Sequence, residues 1–205
     1  MSTPNSEIMS STWQFLKGKW PILIVTYLVF MVLSQTLGFI PKIGTVFTMI
    51  LAGPFALGSA MFSLHVSRGE EYRTEQIFDG FKNFGNALVA YLLMILFIFL
   101  WMLALIIPGF IAAMSYSMTF YIMADNPTIE PMEALRKSKA MMDGYKMKLF
   151  TLQLRFVLLT LLSIFTLGIG LLWLIPYMHI TLARFYDDIK SSDLDATIST
   201  DTLQA

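Results

Sequence analysis

Residues 87–124 read ALVAYLLMILFIFLWMLALIIPGFIAAMSYSMTFYIMA, with no Asp, Glu, Lys or Arg. One helix of that length would be about 57 Å long. The apolar core of a bilayer is about 30 Å thick. Pro108-Gly109 sits inside the stretch. Proline removes an amide donor and glycine tolerates a turn. The stretch therefore predicts two helices joined by a tight break, entering and leaving a membrane by the same face.

Two further stretches follow this pattern. Pro21–Ile40 and Ile43–Val66 flank the segment from Gly38 to Gly44, and Leu149–Leu167 and Leu171–Tyr186 flank Gly168-Ile169-Gly170. With Ala87–Ile107 and Phe110–Ala124 they make six apolar runs in three pairs. Phe110–Ala124 and Leu171–Tyr186 are short against the roughly 17–25 residues a spanning helix uses. The expected fold is an all-α integral membrane protein: six transmembrane helices as three like-oriented hairpins, with amphipathic interfacial linker helices. Residues 1–20 form a cytoplasmic amphipathic segment, 21–186 one membrane domain and 187–205 a disordered cytoplasmic tail rich in Ser, Thr and Asp. The polar N-terminus lacks an early basic region, so the first apolar run reads as a retained span and not a removed signal.

Composition agrees. Of 205 residues 56% are hydrophobic and only 14% charged, where a soluble domain carries about 25% charged residues. Net charge is zero, which implies no nucleic-acid partner. The absence of cysteine removes disulfides, thiolate metal sites and cysteine nucleophiles. Inside the pair breaks the only charge is Lys42; nearly all the other cations lie before, between or after the pairs. The positive-inside rule makes that face cytoplasmic and puts both termini there.

A weak internal repeat accompanies the pairs. Each is preceded by an amphipathic stretch with lysine, glycine and aromatics: Phe15-Leu16-Lys17-Gly18-Lys19-Trp20, Phe81-Lys82-Asn83-Phe84-Gly85 and Asp143-Gly144-Tyr145-Lys146. Three such units read as a parallel repeat; interfacial anchors also use these residue types. Thr128–Met142 reads as a helix with Pro131 in its first turn and Met132, Leu135 and Met142 on one side. Its basic side carries Arg136, Lys137 and Lys139. With Lys82 and Lys146 these are the candidate lipid-binding residues, their cations near anionic headgroups. Capping the bundle from below is the other role for such helices, and the two are compatible.

No phosphate loop, nucleophile elbow or metal motif occurs, and the two histidines, His65 and His179, lie far apart in sequence. The expectation is no enzyme, no cofactor and no metal. Arg155 lies roughly 10 Å up a helix entering from Lys148, and His179 roughly 12 Å along one returning to Asp187. With Tyr177 they form a candidate intramembrane polar cluster. The alternative is a snorkelling arginine and a hydrogen-bonded histidine.

From about Gly53 to Tyr186 the chain resembles an uncharacterised bacterial integral membrane family, the domain of unknown function nine-seven-five. The resemblance rests on Gly53-Pro54-Phe55-Ala56-Leu57-Gly58, Ile77-Phe78-Asp79-Gly80-Phe81, Ile107-Pro108-Gly109, Met142-Asp143-Gly144-Tyr145-Lys146 and Leu167-Gly168-Ile169-Gly170. It implies a bacterial inner-membrane protein and supplies no activity or catalytic residues. Where the family often has Ser-Phe-Ile-Gly-Trp, this chain has Arg155-Phe156-Val157-Leu158-Leu159, so the arginine departs from the pattern. The leading functional expectation is a non-enzymatic protein that binds lipid, a membrane-protein partner or its own copies through its cytoplasmic-side helices. The alternative is a small transporter or exporter component, signalled by a polar cavity through the bundle.

Overall fold

A computed structural model describes the backbone of residues 2–38 and 44–204 and the side chains of 2–32, 44 and 46–192. Among the described residues the chain is all helical. Its elements are α1 (Asn5–Phe15), α2 (Trp20–Gly38), α3 (Gly44–Arg68), a 3-10 segment (Thr74–Asn83), α4 (Phe84–Ala104), α5 (Ile106–Ser115), α6 (Thr119–Asp125), α7 (Pro131–Met141), α8 (Lys146–Ile164) and α9 (Leu171–Gln204). The break expected in the first pair, at Phe39–Ile43, lies outside the described residues.

Four helical stretches are long and apolar enough to cross a membrane: Val46–Arg68, Thr74–Ala104, Ile106–Asp125 and Lys146–Ile164. A fifth results if α1 and α2, bent by 104°, count as one broken span. The six expected are not reached among the described residues. The last expected run fails because Arg184, Asp187 and Asp188 follow too closely on its start at Leu171.

The second pair turns at a different place from the one the sequence suggested. Leu105 is the single extended residue between α4 and α5, and Pro108 lies in the first turn of α5. There an amide donor has no helical partner anyway, so proline costs nothing. Gly109 faces Met102 so closely that a Cβ would collide with it, which lets α5 fold back on α4. In the third pair the break does fall near Gly168: Leu167 and Gly168 both take left-handed φ values, 53° and 82°, and the Gly168 amide closes onto the Ser163 carbonyl at 3.2 Å. The tail, expected to be disordered, continues α9 as helix to Gln204. Residues 185–205 contain neither glycine nor proline to stop it.

The linkers follow one rule of packing. The 3-10 segment lies on α2 and α3, α7 on α4, α5 and α6, and α1 on α8 and α9. Each linker thus rests on the pair before it, and the first linker rests on the last pair. The second helices of the pairs, α3, α6 and α9, meet at the centre, α3 against both others. Trp101 and Pro108, near the turn of the second pair, line one cavity with Lys139 and Lys146 of the third unit. Ser163 and Gly170, near the turn of the third pair, line another cavity with Trp13 of the first unit. The resulting surface is apolar over α4, α5 and α8, with Leu103, Ile107, Leu158 and Leu162 each at least 60% exposed, as lipid contact requires.

The first and third units match closely in local structure. Both α1 and α7 have eleven residues, and both α2 and α8 have nineteen. The interval from Asn5 to Pro131 also separates Gly18 from Gly144, and both glycines have positive φ, 86° and 78°. It separates the buried Thr12 from the buried Ser138. The hydrogen bonds that end the two helices follow one pattern: Leu16 to Thr12 and Lys19 to Leu16 in one, Met142 to Ser138 and Tyr145 to Met142 in the other.

Candidate functional site

The centre of the bundle ends in charge. Each second helix delivers one ionised residue where its apolar run stops: Arg68 from α3, Asp125 from α6 and Asp187 from α9. The Arg68 guanidinium donates to Asp125 from both terminal nitrogens, at 2.7 and 3.1 Å, a fork-to-fork geometry suited to a planar carboxylate. It also donates to Asp187 at 2.6 Å. Asp125 further accepts from the Tyr186 hydroxyl at 2.9 Å and from the Lys190 ammonium at 2.5 Å, and its side chain is only 13% exposed. Five groups thus tie three helices together at one end. A cavity of about 390 Å³ opens beside them, bordered by Asp125, Asn126, Lys137, Tyr186 and Lys190. Beside this cluster, Asp188 accepts from Lys148 at 2.6 Å and from the Thr3 amide at 2.9 Å. Burial works against its charge, but the Lys148 and Thr3 donors hold its carboxyl below the usual range.

The linker cations lie outside this centre. Lys82 pairs with Asp79 at 2.8 Å, Lys137 with Glu133 at 3.1 Å and Lys146 with Asp143 at 3.0 Å. Arg136 and Lys139 are exposed, and among the described residues neither has a carboxylate partner. The opposite face of α7 is spent inside the protein. Ala134, Leu135 and Ser138 are buried. Ser138 Oγ accepts the Met118 amide at 3.2 Å and donates to the Ser115 carbonyl at 2.8 Å. The α5–α6 break leaves those two backbone groups without helical partners, and one hydroxyl satisfies both. An unpaired buried backbone group costs about 1–3 kcal/mol, so α7 is a structural clamp as well as a basic surface.

The expected polar cluster of Arg155, Tyr177 and His179 does not assemble. Two positions apart on a helix, side chains point about 200° from each other, so Tyr177 and His179 face different neighbours. Tyr177 donates to the Met9 carbonyl at 2.9 Å and shares a cavity of about 640 Å³ with Arg155. His179 stacks on Tyr27 with ring centroids 4.8 Å apart and borders a separate cavity of about 350 Å³ with Phe30, Phe55 and Ser59. Among the described residues no group of His, Asp and Glu side chains is placed to hold a metal ion.

The model of a family described as protein of unknown function (DUF975) matches residues 1–108 and 102–193. The chain belongs to this family. No curated protein and no solved structure matches it.

Two DUF975 blocks meet in space. Gly58 packs on the Ile77 carbonyl and Gly80 on the Pro54 carbonyl, so closely that a Cβ on either glycine would strike backbone. This contact seats the 3-10 segment on α3. The block at Met142–Lys146 forms the turn from α7 into α8, where Gly144 supplies the left-handed residue. The pairing of Arg68 with Asp125 and Asp187 was not foreseen from the sequence. The available signal was positional: each second apolar run ends near an ionised residue of the central cluster.

Proposed function

We propose that this DUF975 protein is a non-enzymatic polytopic protein of the bacterial inner membrane. In this reading it binds anionic lipid or a membrane-protein partner at its cytoplasmic face, with both termini on that face. The carrying observation is the division of α7. Its inner face is clamped into the α5–α6 break through Ser138, while Arg136 and Lys139 project outward unpaired by any described carboxylate. A helix held this way offers its cations at fixed positions, near a surface where each contributes about 1 kcal/mol toward anionic lipid.

We also read the six apolar runs as three pairs entering from the cytoplasmic face, and the matching α1–α2 and α7–α8 segments as units of an internal repeat. Buried Tyr121 of α6 and Tyr186 of α9 stack with ring centroids 5.7 Å apart, and this packed contact favours binding over transport.

Co-purification from mild detergent followed by mass spectrometry of bound lipids and proteins tests the binding role. Enrichment of anionic lipid or one protein partner, reduced by Arg136→Gln with Lys139→Gln, is the expected result. A lipid-free lone monomer contradicts it. Reporter fusions at both termini should read cytoplasmic; opposite sides would break the paired arrangement.

A further inference from the structure

We infer that the cavity between α1 and α8 is a binding site for one anionic phospholipid, its phosphate held by Arg155 and Lys17. This rests on the lipid-binding reading above and names a second, separate site for it. The cavity, about 640 Å³, is walled by Met9, Trp13, Leu158 and Leu159 and edged by Lys17 and Arg155, with no acidic residue among those that line it. That is the chemistry of a phospholipid: apolar walls for an acyl chain and two cations for a charged headgroup.

The sequence builds each side of the groove by helical spacing. Ser6, Ser10 and Gln14 recur at helical intervals on α1 and line the cavity, with Lys17 in the turn that follows the helix. Ile8, Thr12 and Leu16 lie on another side and are buried in the protein. On α8, Arg155, Leu158 and Leu159 share one face. Arg155 has no carboxylate partner among the described residues; its polar contact is the Met9 sulfur at 4.0 Å. An arginine set among Leu154, Val157 and Leu158, each at least 49% exposed on the apolar surface of α8, needs an anion or water at its head. A bilayer phospholipid reaches the groove from that same surface without leaving the membrane.

At the matching place in the third unit, Lys139 borders a smaller cavity of about 170 Å³ with Trp101 and Lys146. There α7 packs directly on α4, and the counterparts of Trp13 and Lys17 are Lys139 and Asp143. The larger size of the α1–α8 cavity therefore goes with the first unit's own side chains and not with the shared backbone.

Trp13 reports on the site. With Trp20, Trp101 and Trp173 changed to Phe, the protein is reconstituted in vesicles of brominated phosphatidylglycerol or brominated phosphatidylcholine. Trp13 fluorescence should be quenched preferentially by the anionic lipid. The preference should fall about fivefold with each of Arg155→Gln and Lys17→Gln, the effect of one cation near an anionic headgroup. Equal quenching by the two lipids, or a preference that survives the double variant, overturns the site. Native mass spectrometry of the protein with all four tryptophans covers a reporter variant that does not fold: one fewer anionic lipid retained in Arg155→Gln/Lys17→Gln supports the site, and unchanged retention overturns it. If retained lipid depends on Arg136 and Lys139 but not on Arg155 and Lys17, the site fails while the broader reading stands. If no variant retains anionic lipid, both fail.

Discussion

The α1–α2 and α7–α8 segments share helix lengths, a left-handed glycine at the turn and a buried hydroxyl at the same place. They differ in what the first helix of each grips. Ser138 reaches out of α7 to bond Ser115 and Met118 on another element. Thr12 turns inward and donates to Ile8 of its own helix at 2.7 Å. Consequently α7 is locked to the pair beneath it, whereas α1 is held through its ends and one edge: Thr3 to Asp188, Asn5 to the Lys148 carbonyl, Tyr177 to Met9 and Arg184 to Ser11. The same local fold thus yields a clamp in one unit and an open-sided groove in the other. The difference lies in single side chains, which is where ligand specificity can vary without changing the scaffold.

Replacing the two matched hydroxyls gives the largest expected contrast. Ser138→Val should leave the Met118 amide and the Ser115 carbonyl unpaired in a buried space and lose about 2–4 kcal/mol of stability. Thr12→Val keeps shape and removes a bond that only duplicates a helical carbonyl's, so it should cost under about 1 kcal/mol. Thermal unfolding in one detergent, followed by circular dichroism, compares them. Equal shifts would break the distinction between clamp and groove.

The two turn glycines should instead behave alike. At Gly18 and Gly144 a Cβ would meet nothing within 4 Å, so the penalty for alanine is conformational only, about 1 kcal/mol for a left-handed L-residue. Gly18→Ala and Gly144→Ala should lower the unfolding midpoint by the same small step. A large effect at one alone would count against a shared turn.

Much of this architecture was legible because charge-free runs and their breaks report burial in lipid directly. What was not legible has specific causes. Pro108 marked the turn only approximately, because a residue lacking an amide donor is as well placed in a helix's first turn as in the turn itself. The α5–α6 break at Tyr116–Met118 carries neither glycine nor proline, so nothing in the chain announced that Ser138 would be needed there. The cluster of Arg155, Tyr177 and His179 was grouped by depth alone; rotation about the α9 axis separates the last two onto different cavities. Arg68, Asp125 and Asp187 lie in separate units, and their meeting depends on three second helices converging, which no local pattern records.

The smallest effect sharpens how α1 is tethered. Asp188 joins α9 to Lys148 at the start of α8 and to Thr3 just before α1; α7 has no carboxylate equivalent before its first turn among the described hydrogen bonds. The folded carboxyl lies below the ordinary aspartate value, which is about 3.9 in an unfolded chain. The sign follows: this tether stabilises the protein fully above the unfolded value and is lost as pH falls through the lower folded one. Because the pair is partly exposed, its contribution is about 1 kcal/mol or less. Acidification below pH about 4 should therefore loosen α1 before the bundle unfolds, seen as a change in Trp13 emission without loss of helicity. Asp188→Asn should show that loosened emission already at neutral pH. If α1 releases at the same pH in both proteins, the Asp188 carboxylate is not what holds it, and the contacts of Asn5 and Tyr177 with the third pair carry the tether instead.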